Sequence, residues 1–266
     1  MTEVRNHALD RLRRGELAIG LNARHSRTSE IAAIVKDCGY HFVFLDDEHS
    51  PLPSGVAYDI SLAAIRVGLT PLVRVRRNSP PDIACHLSNG ALGVFVPHVD
   101  NRQQAEEAAA SSRFAPRGML SVPGYLPQLG YTGIPAHEAT ERMNDLFMVV
   151  AMIESAEGIA NVDAIAAVPG IDVLFMGLHD ITHDLNLQGQ YDHPRVTAAI
   201  EAVCAAAKRH GKVAGIGGVK QNEMWQRCVA TGMRMLLIEN DLHMLVHRMT
   251  ERARYFNGIS TTGPTA

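Results

Sequence analysis

A chain of 266 residues with a formal net charge of −3, 46% hydrophobic and 20% charged, has ample material for a packed core and falls in the size range of single-domain α/β barrels. Its Lys and Arg residues are scattered rather than blocked, which excludes the basic field expected of a nucleic-acid or acidic-membrane partner. The N-terminal MTEVRNHALDRLRRGE has charges throughout and no apolar core, and no apolar run reaches the ~18 residues of a membrane span, so a cytoplasmic protein is expected.

In chain order, apolar or β-branched runs predict strands at 16–23, 41–46, 71–75, 93–99, 146–154, 172–177, 212–218 and 233–239. Between them lie amphipathic stretches. SEIAAIVKDCG has Ser29 as its cap, Glu30 in its first turn and Gly39 as its stop; HPRVTAAIEAVCAAAKRHGK opens at Pro194 and closes at Gly211. The strand runs are almost entirely apolar, as strands covered on both faces should be. Eight β/α units in this length predict a single-domain TIM (β/α)8 barrel over 1–266, rather than an open doubly wound sheet. One connection breaks the rhythm: the Gly- and Pro-rich segment 113–144 predicts a long loop serving as a lid or an interface element. Cys38, Cys85, Cys204 and Cys228 stand far apart in helical patterns and form no C-x-x-C pair; they are expected to be buried hydrophobes in a reducing compartment.

In a barrel of this kind, polar residues at the C-terminal ends of the strands face the active site. FLDDEHSP ends the second strand candidate with Asp46, Asp47, Glu48 and His49, an acidic cluster that needs a cation, a proton or water. Arg74 lies inside the third run, and a buried arginine there must face an anion, whose carboxylate form its forked donors match. Glu154 closes the apolar fifth run, and either caps the next helix or faces the site. Asp180 follows FMGLH after the sixth. Acids on neighbouring strand ends can converge on one oxygen-preferring divalent ion such as Mg²⁺ or Mn²⁺. HDITH places His179 and His183 four residues apart but lacks the glutamate of a zinc-protease helix.

Taken together and in order, FLDDEHSP, PLVR, MIES and FMGLHD resemble the HpcH/HpaI family of metal-dependent, class II pyruvate aldolases, with minor echoes in RFAPRGM and DHPRV. The likeness runs from about Gly20 to Asp241. It implies Glu154 and Asp180 as ligands of a divalent metal (Mg²⁺, Mn²⁺ or Co²⁺), Arg74 as the residue meeting the 2-oxo acid, and His49 supported by Asp46 as the acid/base machinery. It also implies that Gly177, Leu178 and His179 line the substrate carboxylate site, received by the N–H groups opening the sixth helix. The activity implied is reversible cleavage of a 4-hydroxy-2-oxo acid to pyruvate, or a close analogue, and an aldehyde. The assembly implied is a homo-oligomer, a hexamer or trimer of dimers, whose sites draw on a neighbouring subunit. Retro-aldol chemistry needs a Lewis acid for the developing enolate, and no lysine stands in a Schiff-base position. This chain departs from the family pattern at Asp47, Ser88, Met152, Leu178 and His179. Two other readings therefore stay open: a CoA-thioester lyase of the citrate-lyase or malyl-CoA-lyase type, and a homologue that binds metal and oxo acid without turnover.

Overall fold

A computed structural model describes residues 4–50 and 52–259. Helix α1 (His7–Arg13) precedes β1 (Ala18–Asn22), α2 (Glu30–Asp37), β2 (Phe42–Asp46), α3 (Ser54–Val67), β3 (Thr70–Arg74), α4 (Pro80–Leu87), β4 (Gly93–Val96), α5 (Arg102–Ser111) and α6 (Ala136–Leu146). There follow β5 (Met148–Ile153), α7 (Ala156–Ala160), α8 (Val162–Ala166), β6 (Val173–Gly177), α9 (Leu178–Asp184), α10 (Pro194–Arg209), β7 (Val213–Gly217), α11 (Asn222–Thr231), β8 (Met233–Asn240) and α12 (Asp241–Asn257). The strands close into an eight-membered barrel in sequence order with every neighbour parallel, the expected (β/α)8 architecture.

The period of two along each strand sorts the apolar residues into two cores. On β2, Phe42 and Phe44 join an inner cluster with Leu72, Phe95, Val150, Met152 and Phe175, while Val43 and Leu45 join the outer layer beneath the helices. Phe44, Phe95 and Phe175 meet edge to face at centroid separations of 4.8 and 5.0 Å, an arrangement that favours the ring quadrupoles. Glycine makes room for these rings: a Cβ on Gly20 would lie 2.0 Å from the Phe42 ring, and one on Gly215 would lie 2.7 Å from Phe175. At the N-terminal end α1 closes the barrel. Ala8, Leu9 and Leu12 are buried in the inner cluster, and Asn6 donates to the carbonyls of Leu92 and Leu146 at 3.0 and 2.8 Å.

Several local expectations change. Ser29 occupies the N-cap position of α2 without making a side-chain cap bond, whereas Gly39 does provide the stop with φ +88°. The fourth strand ends at Val96, because His98 adopts φ +50° and turns the chain out of the ladder. Segment 113–144 is a loop only in part: from Ala136 it is α6, whose Ala139 and Met143 supply a buried stripe. It lies at the N-terminal face of the barrel, since it runs from the end of a helix to the start of a strand. Its Gln128 is buried there, donating to the Leu87 and Ala91 carbonyls at 2.7 and 3.0 Å, and Arg113 pairs with Asp172 at 2.9 Å. It cannot act as a lid on the opposite face of its own chain. All four cysteines are unpaired, but Cys38 and Cys85 are exposed, so the expectation of burial holds only for Cys204 and Cys228. Pro51, the last residue of FLDDEHSP, lies outside the described residues. No helix among the described residues is long and apolar enough to cross a membrane.

Candidate active site

The same period that fills the barrel delivers polar side chains to its C-terminal mouth. Asp46 and Arg74 continue the inward-facing rows of β2 and β3, and Glu154 follows the inward-facing Met152 of β5. A cavity of about 750 Å³ opens there. Phe44, Met152 and Phe175 border it from below, and Arg74, Glu154, Gly177, Leu178, His179 and Asp180 stand in its wall.

Arg74 is almost wholly buried and holds a fork of its own. Its Nε and Nη2 donate to the two oxygens of Asp46 at 3.0 and 2.6 Å, and its Nη1 lies 3.1 Å from Glu48. Its Cζ also sits 5.6 Å above the Phe44 ring. Burial pushes Asp46 upward, but the Arg74 fork and the His49 N–H outweigh it and hold the carboxyl below its usual range. Asp46 is thus a permanent acceptor that fixes Arg74. Its contact with His49 is to the backbone N–H, at 3.1 Å, and not to the imidazole.

The His49 ring is exposed and absent from the cavity wall; its nearest carboxylate is Glu48, 3.6 Å from Nε2. Glu48 consequently joins Arg74, His49 and, at 4.0 Å, His98. Sequence reasoning gave Glu48 and His98 no definite role. The signal available was that every second residue after an inward-facing strand faces the mouth. The same alternation turns Asp47 away from it: Asp47 accepts from Arg76 at 3.2 Å and meets the buried His86 at 3.1 Å, outside the barrel. Ser88 ends α4 and does not border the cavity.

Glu154 is buried, and its Oε2 accepts the His98 backbone N–H at 3.1 Å. It does not cap the following helix; Ser155 does, accepting from Gly158 N–H. Gly177 packs close opposite: a Cβ there would stand 2.8 Å from Glu154 Oε1 and displace the carboxylate. Burial raises the Glu154 carboxyl above its ordinary value, and Asp180 adds to this against the pull of His98 and Arg74. Two acids facing one space, one of them costly to ionise alone, could together offer oxygen donors to a hard cation. Among the described residues no three or more His, Cys, Asp or Glu are grouped to hold a metal, so such an ion would take its remaining partners from substrate and water.

Asp180 lies in the first turn of α9, whose N-cap Gly177 makes no side-chain cap bond. The His179 ring accepts or donates at 3.0 Å to Tyr191 and fills the space a Cβ on Gly218 would need. Burial and Lys220 depress its basicity, with Asp180 opposing. Arg24 and Lys220 also border the cavity, cations the sequence did not place at the mouth.

A (β/α)8 barrel with carboxylates, a fixed arginine and an open helix start at its C-terminal face has the layout of a TIM-barrel enzyme acting on an oxygen-rich small molecule. The profile of the HpcH/HpaI aldolase/citrate lyase family matches residues 24–247, and the chain belongs to that family. It is 34% identical over 249 residues to a 4-hydroxy-4-methyl-2-oxoglutarate aldolase of Hapsidospora irregularis, covering 92% of each chain. It is 29% identical to a 2-keto-3-deoxy-L-rhamnonate aldolase of Escherichia coli K12, over 93% of this chain and 91% of the other. The crystal structure of an HpcH/HpaI aldolase from Desulfitobacterium hafniense superimposes with a TM-score of 0.90 at 24% identity, covering 96% of this chain and 98% of that one, and so shares the fold.

Proposed function

We infer that this chain is an aldolase, a carbon–carbon lyase that reversibly cleaves a 4-hydroxy-2-oxo acid to pyruvate, or a close 2-oxo acid, and a carbonyl partner. The observation that carries this reading is the meeting of Arg74, Glu154, Asp180 and the start of α9 around one cavity. Glu154 and Asp180 suit a divalent ion, Mg²⁺, Mn²⁺ or Co²⁺, which when bound supplies the Lewis acid for enolate formation. Arg74, held by Asp46 and Glu48, presents fixed positive charge to the oxygen that becomes negative. The first-turn N–H groups at His179 and Asp180 receive the substrate carboxylate, and Gly177 and Leu178 shape its seat. Phe44, Met152 and Phe175 exclude water from the floor. His49 exchanges the proton of the 4-hydroxyl oxygen from the rim, with Glu48 orienting it. Asp46 contributes by position, not by proton transfer.

We also propose a homo-oligomer. Of α12 only Asp241 is buried, and Met244, Leu245, Met249, Tyr255 and Phe256 are exposed at 46 to 67%. A helix so apolar on its free surface calls for a second copy to cover it. Four unpaired thiols suit a cytoplasmic setting.

The test is deuterium uptake into the pyruvate methyl group in D₂O, followed by NMR with Mg²⁺, Mn²⁺ or Co²⁺ and with EDTA. Metal-dependent uptake is expected; no uptake with any metal refutes the aldolase reading and favours the thioester lyase.

A further inference from the structure

The cavity is far larger than a three-carbon oxo acid requires, and its wall divides by charge. Its β3, β5 and β6 side carries Arg74, Glu154 and Asp180, and there the Arg74 charge is already balanced by Asp46 and Glu48. The β7, β8 and β1 side carries Lys220, Glu239 and Arg24, with Asn222, Trp225 and Leu237 between them. Glu239 is turned to its own neighbours, accepting the Asn240 N–H at 2.9 Å and lying 2.9 Å from His243 Nδ1. Among the described residues neither Arg24 nor Lys220 makes a hydrogen bond or ion pair through its side chain.

The Arg24 backbone, by contrast, is fixed. The Arg24 N–H donates to buried Asp241 at 2.9 Å, and its carbonyl accepts from Ser50 Oγ at 2.9 Å and Arg27 Nη1 at 3.1 Å. Lys220 follows buried Val219 and Gly218, whose φ of +88° and absent Cβ let the loop turn against His179. Two unpaired cations on the β7, β8 and β1 side of one cavity form a site prepared for an anion.

Resting on the aldolase reading above, we propose that Arg24 and Lys220 form the acceptor half of the site and select a carbonyl acceptor that bears its own carboxylate over a neutral aldehyde. In the addition direction the methyl carbon of pyruvate loses one proton and bonds to the acceptor carbonyl carbon, whose oxygen gains one proton. No electrons are exchanged with any other reactant, and the acceptor carboxylate is unchanged. It is held by the two cations so that its carbonyl faces the donor.

Glyoxylate, and pyruvate as its own acceptor, are to be compared with glycolaldehyde, which is of similar size and uncharged, in steady-state aldol addition with Mg²⁺. Arg24→Met and Lys220→Met are each expected to raise KM for glyoxylate roughly 10-fold or more, as loss of a hydrogen bond to a charged group does, while KM for glycolaldehyde moves far less. Arg24→Lys and Lys220→Arg, which keep the charge, are expected to retain glyoxylate. Equal loss of both acceptors, or a wild type indifferent to the carboxylate, overturns the proposal. Pyruvate methyl exchange of the wild type, measured alongside, keeps the two readings apart: its absence sinks the aldolase, whereas exchange without acidic-acceptor preference sinks only the acceptor subsite.

Discussion

At Arg74 stability and the proposed chemistry meet in a single residue. It is buried against Asp46 at 2.6 Å and Glu48 at 3.1 Å, so its removal strands two carboxylates in a site of low dielectric. Arg74→Met is expected to cost roughly 3–5 kcal/mol in urea unfolding. Arg74→Lys, which keeps the charge but loses the fork, should reduce kcat roughly 10²-fold or more. Wild-type kcat in Arg74→Lys would show that the guanidinium geometry is irrelevant to the reaction. Glu154→Gln and Asp180→Asn test the donor pair. Both are near-isosteric, so circular dichroism should be unchanged, while pyruvate methyl exchange should fall to the level seen with EDTA. Exchange retained in both variants, after chelation and Mn²⁺ add-back, would refute the assignment.

Among elements, the start of α12 governs the loop that carries Arg24. The buried Asp241 carboxylate accepts from the backbone N–H groups of Arg24, His25, Ser26 and Leu242 and from the Ser26 hydroxyl. Burial by itself raises this carboxyl, but the Ser26 hydroxyl and the N–H groups outweigh it and leave it below the ordinary 3.8. A depressed folded-state value contributes stability above the unfolded value, and that contribution disappears as pH falls through the folded one. Asp241→Asn should therefore destabilise by roughly 1–3 kcal/mol near pH 7. The gap from wild type should narrow in urea titrations as pH is lowered below the ordinary aspartate range. A gap that is constant with pH would mean that the charge is not what holds the loop.

At the scale of the whole molecule, the barrel buries its apolar runs, whereas α12 leaves its apolar side chains exposed. Light scattering should give a mass that is a multiple of the chain's. Met249→Asp, on an exposed apolar position of α12, should reduce it, because a charge on a covered apolar face is costly to desolvate. A monomer in the wild type would leave the apolar helix without its inferred partner. The proposed assembly also reaches the candidate active site, since α12 starts at the cavity and its His243 stands in the wall.

Sequence alone determined the barrel, because continuous apolar runs at this spacing have few ways to be buried on both faces, and all eight runs became strands. It also picked out Arg74, Glu154 and Asp180, since a charge at the end of such a run needs a partner or a site. Tertiary structure decided their partners. Whether Asp46 serves the His49 ring or Arg74 depends on strand β3 lying beside β2, with Asp46 in register with Arg74. That Asp47 turns outward to His86, that Glu48 links His49 to Arg74, and that Arg24 and Lys220 meet one cavity all follow from contacts between residues far apart in the chain. Local periodicity tells which way a side chain faces, but only closure of the barrel brings β7, β8 and β1 together with β2 and fixes what it meets there.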